Sequence, residues 1–218
     1  MKIGTWNLNA DWSDAHRALL HQADCDVWLL TEASPQTSLQ GFERHFSAHS
    51  MVRGQHYAAI LSRLSLHKLQ DPHPASAAAV VEGITYCTSI LPWSTCAHDV
   101  SSPWSGCLSV ENMVGETIDR LMKELPDSNL VWGGDWNQNL VGGWEHVGSR
   151  GGCARIEEAL KAWDLQAPTA SLPHRLVGSH SIDHIAVPMN WICSCAIRVD
   201  ATELSDHDAY IIEAAKAR

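Results

Sequence analysis

The sequence predicts one α/β domain over residues 1–218, and three observations support this class. Its 218 residues fit a single compact domain and would be cramped for two. With 45% hydrophobic and 18% charged residues, the chain can fill a sizeable core, which argues against a disordered protein. Its amino-terminal segment alternates strand-like, helix-like and strand-like patterns, which is typical of a β–α–β unit.

The first strand is predicted from a period of two. Residues Lys2–Asn9 alternate in polarity, and successive side chains of a strand point to opposite faces. Asn7 and Asn9 are therefore expected to point the same way. A second strand, Asp26–Glu32, follows a helix and places Glu32 at a strand end.

The remaining elements follow from periodicity and from Gly, Pro, Ser and Asp at their ends. The predicted helices are Ala15–Ala23, Val110–Leu125 and Arg155–Ala162. The further predicted strands are Gln55–Ser62, Ala78–Val81, Ile84–Ile90, Asn129–Asp135, Ser181–Val187, Trp191–Val199 and Ala209–Ala214. Residues Phe42–Ile90 are interpreted as an antiparallel meander. The loop Leu91–Leu108 is long enough to suggest a role in binding.

Charge and composition limit the partners. The chain has 15 Lys and Arg against 25 Asp and Glu, a net charge of −10. Its long-range field therefore repels nucleic acid and anionic membranes, so an anionic substrate must be attracted locally. The apolar stretches are far shorter than the roughly 18 residues of a membrane span, which indicates a soluble globular domain.

Cysteine usage bears on the compartment. Seven cysteines cannot all pair within one chain, and we expect reduced thiols in a cytoplasmic protein. The alternative is an extracellular protein with one or two disulfides, for example between Cys96 and Cys107.

Polar residues gather where predicted strands begin or end. The five clusters are Trp6–Asn9, Thr31–Glu32, Gly134–Asn137, Ser181–His184 and Leu204–Asp208. Each cluster alone is explained as turn or capping residues. Together they form a pattern of polar residues that packing of a hydrophobic core does not explain.

In this order the clusters resemble the endonuclease/exonuclease/phosphatase superfamily, the DNase I-like proteins. The strongest matches are Gly-Gly-Asp135-Trp-Asn137, Ser-Ile-Asp183-His-Ile and Leu-Ser-Asp206-His207-Asp. The resemblance covers nearly the whole chain. It implies a four-layer α/β sandwich, in which two mainly antiparallel sheets pack face to face with helices outside.

The resemblance also implies a metal site. Glu32 and the amide oxygen of Asn7 are expected to hold Mg²⁺ or Mn²⁺, and Asp206 is expected to reach the ion directly or through water. Mg²⁺ takes a few oxygen ligands and keeps several waters, so such a sparse site is suitable. Asn9 stands where some relatives carry an acid, which makes it an alternative ligand.

The catalytic residues implied by the resemblance form two pairs. Asp135 and Asn137, on one face of an extended segment, would orient and deprotonate the attacking water. Asp183 would fix the tautomer of His207 and favour its protonated form, which binds phosphate in the transition state. His184 is interpreted as a packed or surface residue.

Three arginines are expected to supply local positive charge for the substrate, namely Arg150, Arg155 and Arg175; solvated surface charge is the alternative. The loop tryptophans are expected either to stack on substrate or to pack inside; they are Trp93, Trp104, Trp136 and Trp144.

One position departs from the family pattern. Many relatives carry His or Tyr near Ile90, so the group that protonates the leaving group is unassigned. Tyr57, Tyr86, His98 or metal-bound water are the alternatives.

The sequence thus predicts a divalent-metal-dependent phosphodiesterase. A nuclease acting on DNA or RNA is the first choice. A phosphatase or a phospholipid phosphodiesterase comes second, and a non-catalytic binding module last.

Overall fold

The computed structural model describes residues 1–51, 54–107, 109–142 and 147–217. Its helices are α1 Asp14–Ala23, α2 Val110–Glu124 and α3 Arg150–Ala162, with a short 3-10 helix at Cys96–His98. Its strands are β1 Lys2–Asn7, β2 Val27–Ala33, β3 Glu43–Phe46, β4 His56–Ser62, β5 Leu66–Lys68, β6 Ser76–Val81, β7 Ile84–Ser89, β8 Leu130–Asp135, β9 Leu165–Gln166, β10 Asp183–Pro188, β11 Trp191–Val199 and β12 Ala209–Lys216.

The strands form two six-stranded sheets. The first sheet has the order β11-β12-β1-β2-β4-β3, and the second has the order β5-β6-β7-β8-β10-β9. Among the described strands, the pairs β1–β2 and β7–β8 are parallel and the other pairs are antiparallel. Each parallel pair is joined through a helix, as a parallel connection requires.

Three apolar layers hold these elements together. Between the sheets, Ile3 and Leu29 of the first sheet join Tyr86 and Ile185 of the second in one buried cluster. Outside the first sheet, Leu20 of α1 belongs to a cluster with the sheet's outer face. Helices α2 and α3 cover the second sheet in the same way. The result is the predicted four-layer sandwich, and the fold prediction is confirmed.

Serine caps start all three helices. Ser13, Ser109 and Ser149 each accept a hydrogen bond from the backbone N–H three residues ahead. This satisfies one of the free donors of a helix's first turn. Because Ser149 caps α3, that helix begins at Arg150, five residues before the predicted start.

Two expectations about the strands are wrong. The predicted meander divides between the sheets, because β3 and β4 pair with each other in the first sheet whereas β5, β6 and β7 pair in the second. Strand β1 ends at Asn7. Asn9 is exposed in a turn with a φ of 49°, so it does not share a strand face with Asn7.

The described helices are all too short or too polar to cross a bilayer. Each of the seven cysteines is a free thiol, including Cys96 and Cys107.

Candidate active site

Both sheets contribute to one polar cluster at a shared edge. In the first sheet, β1 and β2 run parallel, with Asn7 beside Thr31 and Glu32 next along β2. In the second sheet, Asp183 opens β10 directly opposite Asp135, which ends β8. The topology therefore brings together strand ends that lie far apart in the sequence.

The Asn7 amide connects the two sheets. Its Nδ2 donates to Glu32 Oε1 at 3.0 Å and to Asp135 Oδ2 at 3.0 Å. Its Oδ1 accepts the backbone N–H of Asn9 at 2.9 Å. Asn7 and Asp135 are almost completely buried, so these hydrogen bonds fix both carboxylates relative to one another.

His207 completes the cluster. Its Nδ1 donates to Asp183 Oδ2 at 2.8 Å, and its Nε2 lies 3.9 Å from Asp135 Oδ2. Ligand atoms of Asp135, Asp183 and His207 all lie within 4.8 Å of one another. The second distance exceeds that of a hydrogen bond, so Nε2 keeps its donor for another partner.

Hydrogen bonds to β1 hold the loop that carries His207. Ser205 Oγ donates to the Asn7 carbonyl at 2.7 Å and accepts the His207 N–H at 3.1 Å. Trp6 Nε1 donates to the His207 carbonyl at 3.1 Å. These roles of Ser205 and Trp6 are not predicted from the sequence, although both residues flank motif residues.

Arg175 holds the same loop. Its guanidinium donates to the Ser205 carbonyl at 2.7 Å and to Asp208 Oδ1 at 2.8 Å. Arg198 donates to the other oxygen of Asp208 at 2.7 Å. Arg175 is predicted to bind substrate, and in the structure its two terminal nitrogens bind this loop, one of them the buried Asp208 carboxylate.

The other two arginines of the predicted set do not contact the cluster. Arg155 pairs with Asp119 of α2 and with Glu158 of α3. Arg150 is exposed in the first turn of α3, where no ion pair is found among the described residues. Asp206 is also exposed, with its Oδ1 3.4 Å from Ser205 Oγ.

The site carries more acids than bases. Burial raises the pKa of Asp135 to about 7, against the attraction of His207, and burial likewise raises the pKa of Glu32. Burial alone would lower the pKa of His207. The Asp183 and Asp135 carboxylates outweigh this effect and raise it to about 10. His207 is therefore an imidazolium at neutral pH.

Two residues of the site adopt left-handed backbone conformations. Glu32 has a φ of 47° and Asn137 a φ of 52°, which is uncommon for residues other than glycine and often marks functional positions. Asn137 was predicted to share an extended face with Asp135. Instead its N–H donates to Asp135 Oδ1 at 3.0 Å, and its Nδ2 donates to the Leu91 carbonyl at 3.0 Å.

The donor set suits a hard divalent cation. Glu32 and Asp135 offer oxygen, which Mg²⁺ and Mn²⁺ prefer. The predicted amide-oxygen ligand is not in place, because Asn7 turns Nδ2 towards both carboxylates and its Oδ1 accepts from Asn9. Asp183 Oδ1 is buried and has no hydrogen-bond partner in the described part of the chain. Three acidic side chains face one imidazolium, so a bound cation would favour their ionised forms and balance the negative charge. His207 is protonated and hydrogen-bonded to Asp183, which makes it a poor ligand.

The alternatives for the leaving-group donor occupy different places. The Tyr86 hydroxyl donates to Met1 Sδ in the layer between the sheets, which separates it from the cluster. Tyr57 is buried beside Ile90 in an aromatic cluster, and His98 is exposed. His184 is fully buried, and its Nε2 donates to the Gln138 carbonyl at 2.9 Å, in agreement with a packing role.

The loop tryptophans differ in burial. Trp104 and Trp136 are buried, and Trp93 is half-buried. Trp144 lies outside the described residues.

Comparison with known proteins supports the fold. No protein-family model and no curated protein matches the sequence.

Solved structures do match. An AP endonuclease from Archaeoglobus fulgidus has a TM-score of 0.69 at 15% identity, covering 98% of each chain. The endonuclease domain of TRAS1, a telomere-specific non-LTR retrotransposon, has a TM-score of 0.68 at 15% identity, covering 97% of this chain and 96% of the other. A mannosyl-6-phosphatase from Bacteroides thetaiotaomicron has a TM-score of 0.57 at 14% identity, covering 99% of each. The chain thus has the fold of the endonuclease/exonuclease/phosphatase, or DNase I-like, proteins.

Proposed function

We propose that the protein is a single-domain, divalent-metal-dependent phosphodiesterase that cleaves nucleic-acid phosphodiester bonds by attack of water. One observation carries the proposal. The Asn7 amide joins Glu32 to Asp135, beside a protonated His207 hydrogen-bonded to Asp183. This arrangement offers a cation site, a base and an anion-binding group within one buried cluster.

Glu32 would hold the Mg²⁺ or Mn²⁺, with Asp206 near enough for its charge to act on Glu32. Asn7 would join it as a ligand through Oδ1 once its amide turns over, since Nδ2 faces Glu32 and Asp135 in this structure. When bound, the cation neutralises negative charge and polarises the phosphoryl group. Asp135 and Asn137 are the groups proposed to orient the water. The pKa of Asp135, raised to about 7 by burial, suits a base that accepts a proton near neutral pH.

His207 is proposed to bind the phosphate. Asp183 holds the ring through Nδ1, so Nε2–H is left to donate to a phosphate oxygen. A preorganised cation at this position stabilises the charge that develops on phosphorus-bound oxygens. Asp183 itself acts by fixing the ring and its protonation.

The similar structures support a phosphoester hydrolase, and the two endonucleases among them favour nucleic acid. Phosphomonoester hydrolysis is the second candidate. The similarity to a mannosyl-6-phosphatase and the net charge of −10 both favour it.

A substrate panel tests the proposal. We expect the protein with Mg²⁺ to cleave at least one of plasmid, abasic or single-stranded DNA and RNA. Asp135→Asn protein, prepared in the same way, controls for contaminating nuclease. Cleavage of sugar phosphates, inositol phosphates or sphingomyelin without cleavage of any nucleic acid would contradict the nuclease assignment.

A further inference from the structure

Trp93 differs from Trp104 and Trp136, because it is half-buried whereas they are fully buried. It belongs to the loop after β7, which is hydrogen-bonded to the site. The Leu91 N–H donates to the Asp135 carbonyl at 2.9 Å, and the Leu91 carbonyl accepts from Asn137 Nδ2 at 3.0 Å. Trp93 therefore lies two residues after Leu91, which is hydrogen-bonded to both Asp135 and Asn137.

The Trp93 indole packs against another tryptophan. Trp104 meets it edge to face at 5.8 Å between ring centroids. Trp104 is itself fixed, because its Nε1 donates to Thr117 Oγ1 of α2 at 2.9 Å. A platform that is already oriented loses little entropy when a ligand stacks on it.

A cavity of about 360 Å³ lies beside Trp93 and reaches Asn137. Its other walls include Pro92, Val110 and Val147, and the described residues that line it carry no formal charge. This volume is near the lower end for small-molecule sites, so it suits a single ring system. A second phosphate would find no counter-charge there.

We propose that Trp93 and this cavity form a stacking subsite for one unpaired nucleobase next to the scissile phosphate. The inference rests on the proposed function and specifies its substrate, because Asn137 belongs both to the cavity wall and to the cluster that would hold the phosphate. One indole and an uncharged lining, in which Ser94 and Gln138 add polar groups to the apolar walls, suit a neutral planar ring that also carries hydrogen-bonding groups. A base must leave its duplex partner to enter.

The test compares two single-stranded oligomers of equal length and phosphate number. One is oligothymidylate, and the other carries abasic tetrahydrofuran residues throughout. We expect the wild-type protein to cleave oligothymidylate with a kcat/KM about tenfold higher, within the range of a single base stack. Trp93→Ala should reduce this ratio to about 1 by lowering the rate on oligothymidylate alone, whereas Trp93→Phe should retain most of it.

Ile192→Ala is the matched control. It removes a side chain that is 64% exposed on β11, in a cavity shared with Met1 and Lys2 at the opposite end of β1 from Asn7. Thymidine 5′-monophosphate, used as an inhibitor of abasic-oligomer cleavage, tests whether a free nucleotide is bound as well; its inhibition constant should rise in Trp93→Ala and not in Ile192→Ala.

The outcomes separate the two claims. Cleavage of both oligomers with an equal ratio in wild type and Trp93→Ala would overturn the stacking subsite and leave the proposed function intact. A wild-type preference for the abasic oligomer would overturn it as well. Cleavage of neither oligomer by a preparation that cleaves plasmid DNA or RNA with Mg²⁺ or Mn²⁺ would overturn this inference and leave the nuclease function intact. Inactivity on every nucleic acid of the panel would overturn both.

Discussion

The two sheets repeat one arrangement with different chemistry at the same edge. From β11 in the first sheet and from β5 in the second, neighbouring strands pair antiparallel, antiparallel, parallel, antiparallel and antiparallel. By this order β12 corresponds to β6. His207 lies in the loop before β12, and His73 lies in the loop before β6.

These two histidines differ in charge because their neighbours differ. His73 is 6% exposed and stacks on Trp104 at 5.8 Å, with its Nδ1 accepting the Ala75 N–H. Burial lowers its pKa to about 4. Asp183 and Asp135 raise the pKa of His207 to about 10. An enclosed histidine is therefore a cation at neutral pH where carboxylates accompany it, as at His207, and neutral where they do not, as at His73.

The largest effect is expected from removing the His207 cation or its partner Asp183. His207→Ala and Asp183→Asn should each lower turnover by about 10² or more, and the double variant should be little worse than the worse single one, because the two residues act as a unit. His73→Asn, which keeps an acceptor for Ala75, should leave turnover nearly unchanged. Steady-state kinetics on one oligonucleotide would check this, and multiplicative losses would argue against a coupled pair.

A smaller effect is expected from the support of the loop before β12. Arg175→Gln should lower turnover on the order of tenfold, because the Ser205 carbonyl loses its donor and His207 is less well placed. Substrate affinity should change little, since Arg175 does not reach the cluster. A rise in KM with unchanged kcat would instead return Arg175 to a substrate-binding role.

The neutral state of His73 should affect how the free energy of unfolding depends on pH. Its folded-state pKa of about 4 lies below the ordinary value of 6.5, so protons bind the unfolded chain preferentially between these pH values. His73 therefore costs no stability above pH 6.5 and about 1.4 kcal/mol per pH unit as the pH falls towards 4. Relative to His73→Asn, wild type should lose unfolding free energy by that slope in denaturant titrations. Parallel curves for the two proteins would contradict a neutral buried His73.

The smallest expected effect concerns salt. Arg155 and Arg175 are engaged by acids, so few phosphates should be neutralised on binding. With about −0.9 in slope per phosphate on duplex DNA, the plot of log K against log salt should have a magnitude of about two or three. Fluorescence titrations of Asp135→Asn protein would measure it. A slope of about six would require a larger basic surface.

Local sequence patterns predicted the strands that end at the site, because strand ends and polar clusters are both local signals. The motif order also predicted which residues would converge: Asn7, Glu32, Asp135, Asp183 and His207. The same motifs, which resemble the family's across nearly the whole chain, also predicted the two mainly antiparallel sheets.

The remaining features depend on contacts that no local pattern encodes. The partner of Arg175 is Asp208, 33 positions away along the chain, so the arginine could not be distinguished from a solvated or substrate-binding one. The turn at Asn137 follows from its left-handed backbone, whereas the sequence around it reads as extended. The division of the meander between sheets is likewise a property of packing.

Metal dependence tests the central claim most directly. Oligonucleotide cleavage should be measured after thorough chelation, after readdition of Mg²⁺ or Mn²⁺, and in Glu32→Gln with metal affinity followed by calorimetry. We expect activity to vanish on chelation and return with metal, and Glu32→Gln to bind the ion more weakly while remaining folded. Unchanged hydrolysis after chelation, or equal metal affinity in Glu32→Gln, would contradict the assignment of this edge as a metal-dependent hydrolytic site.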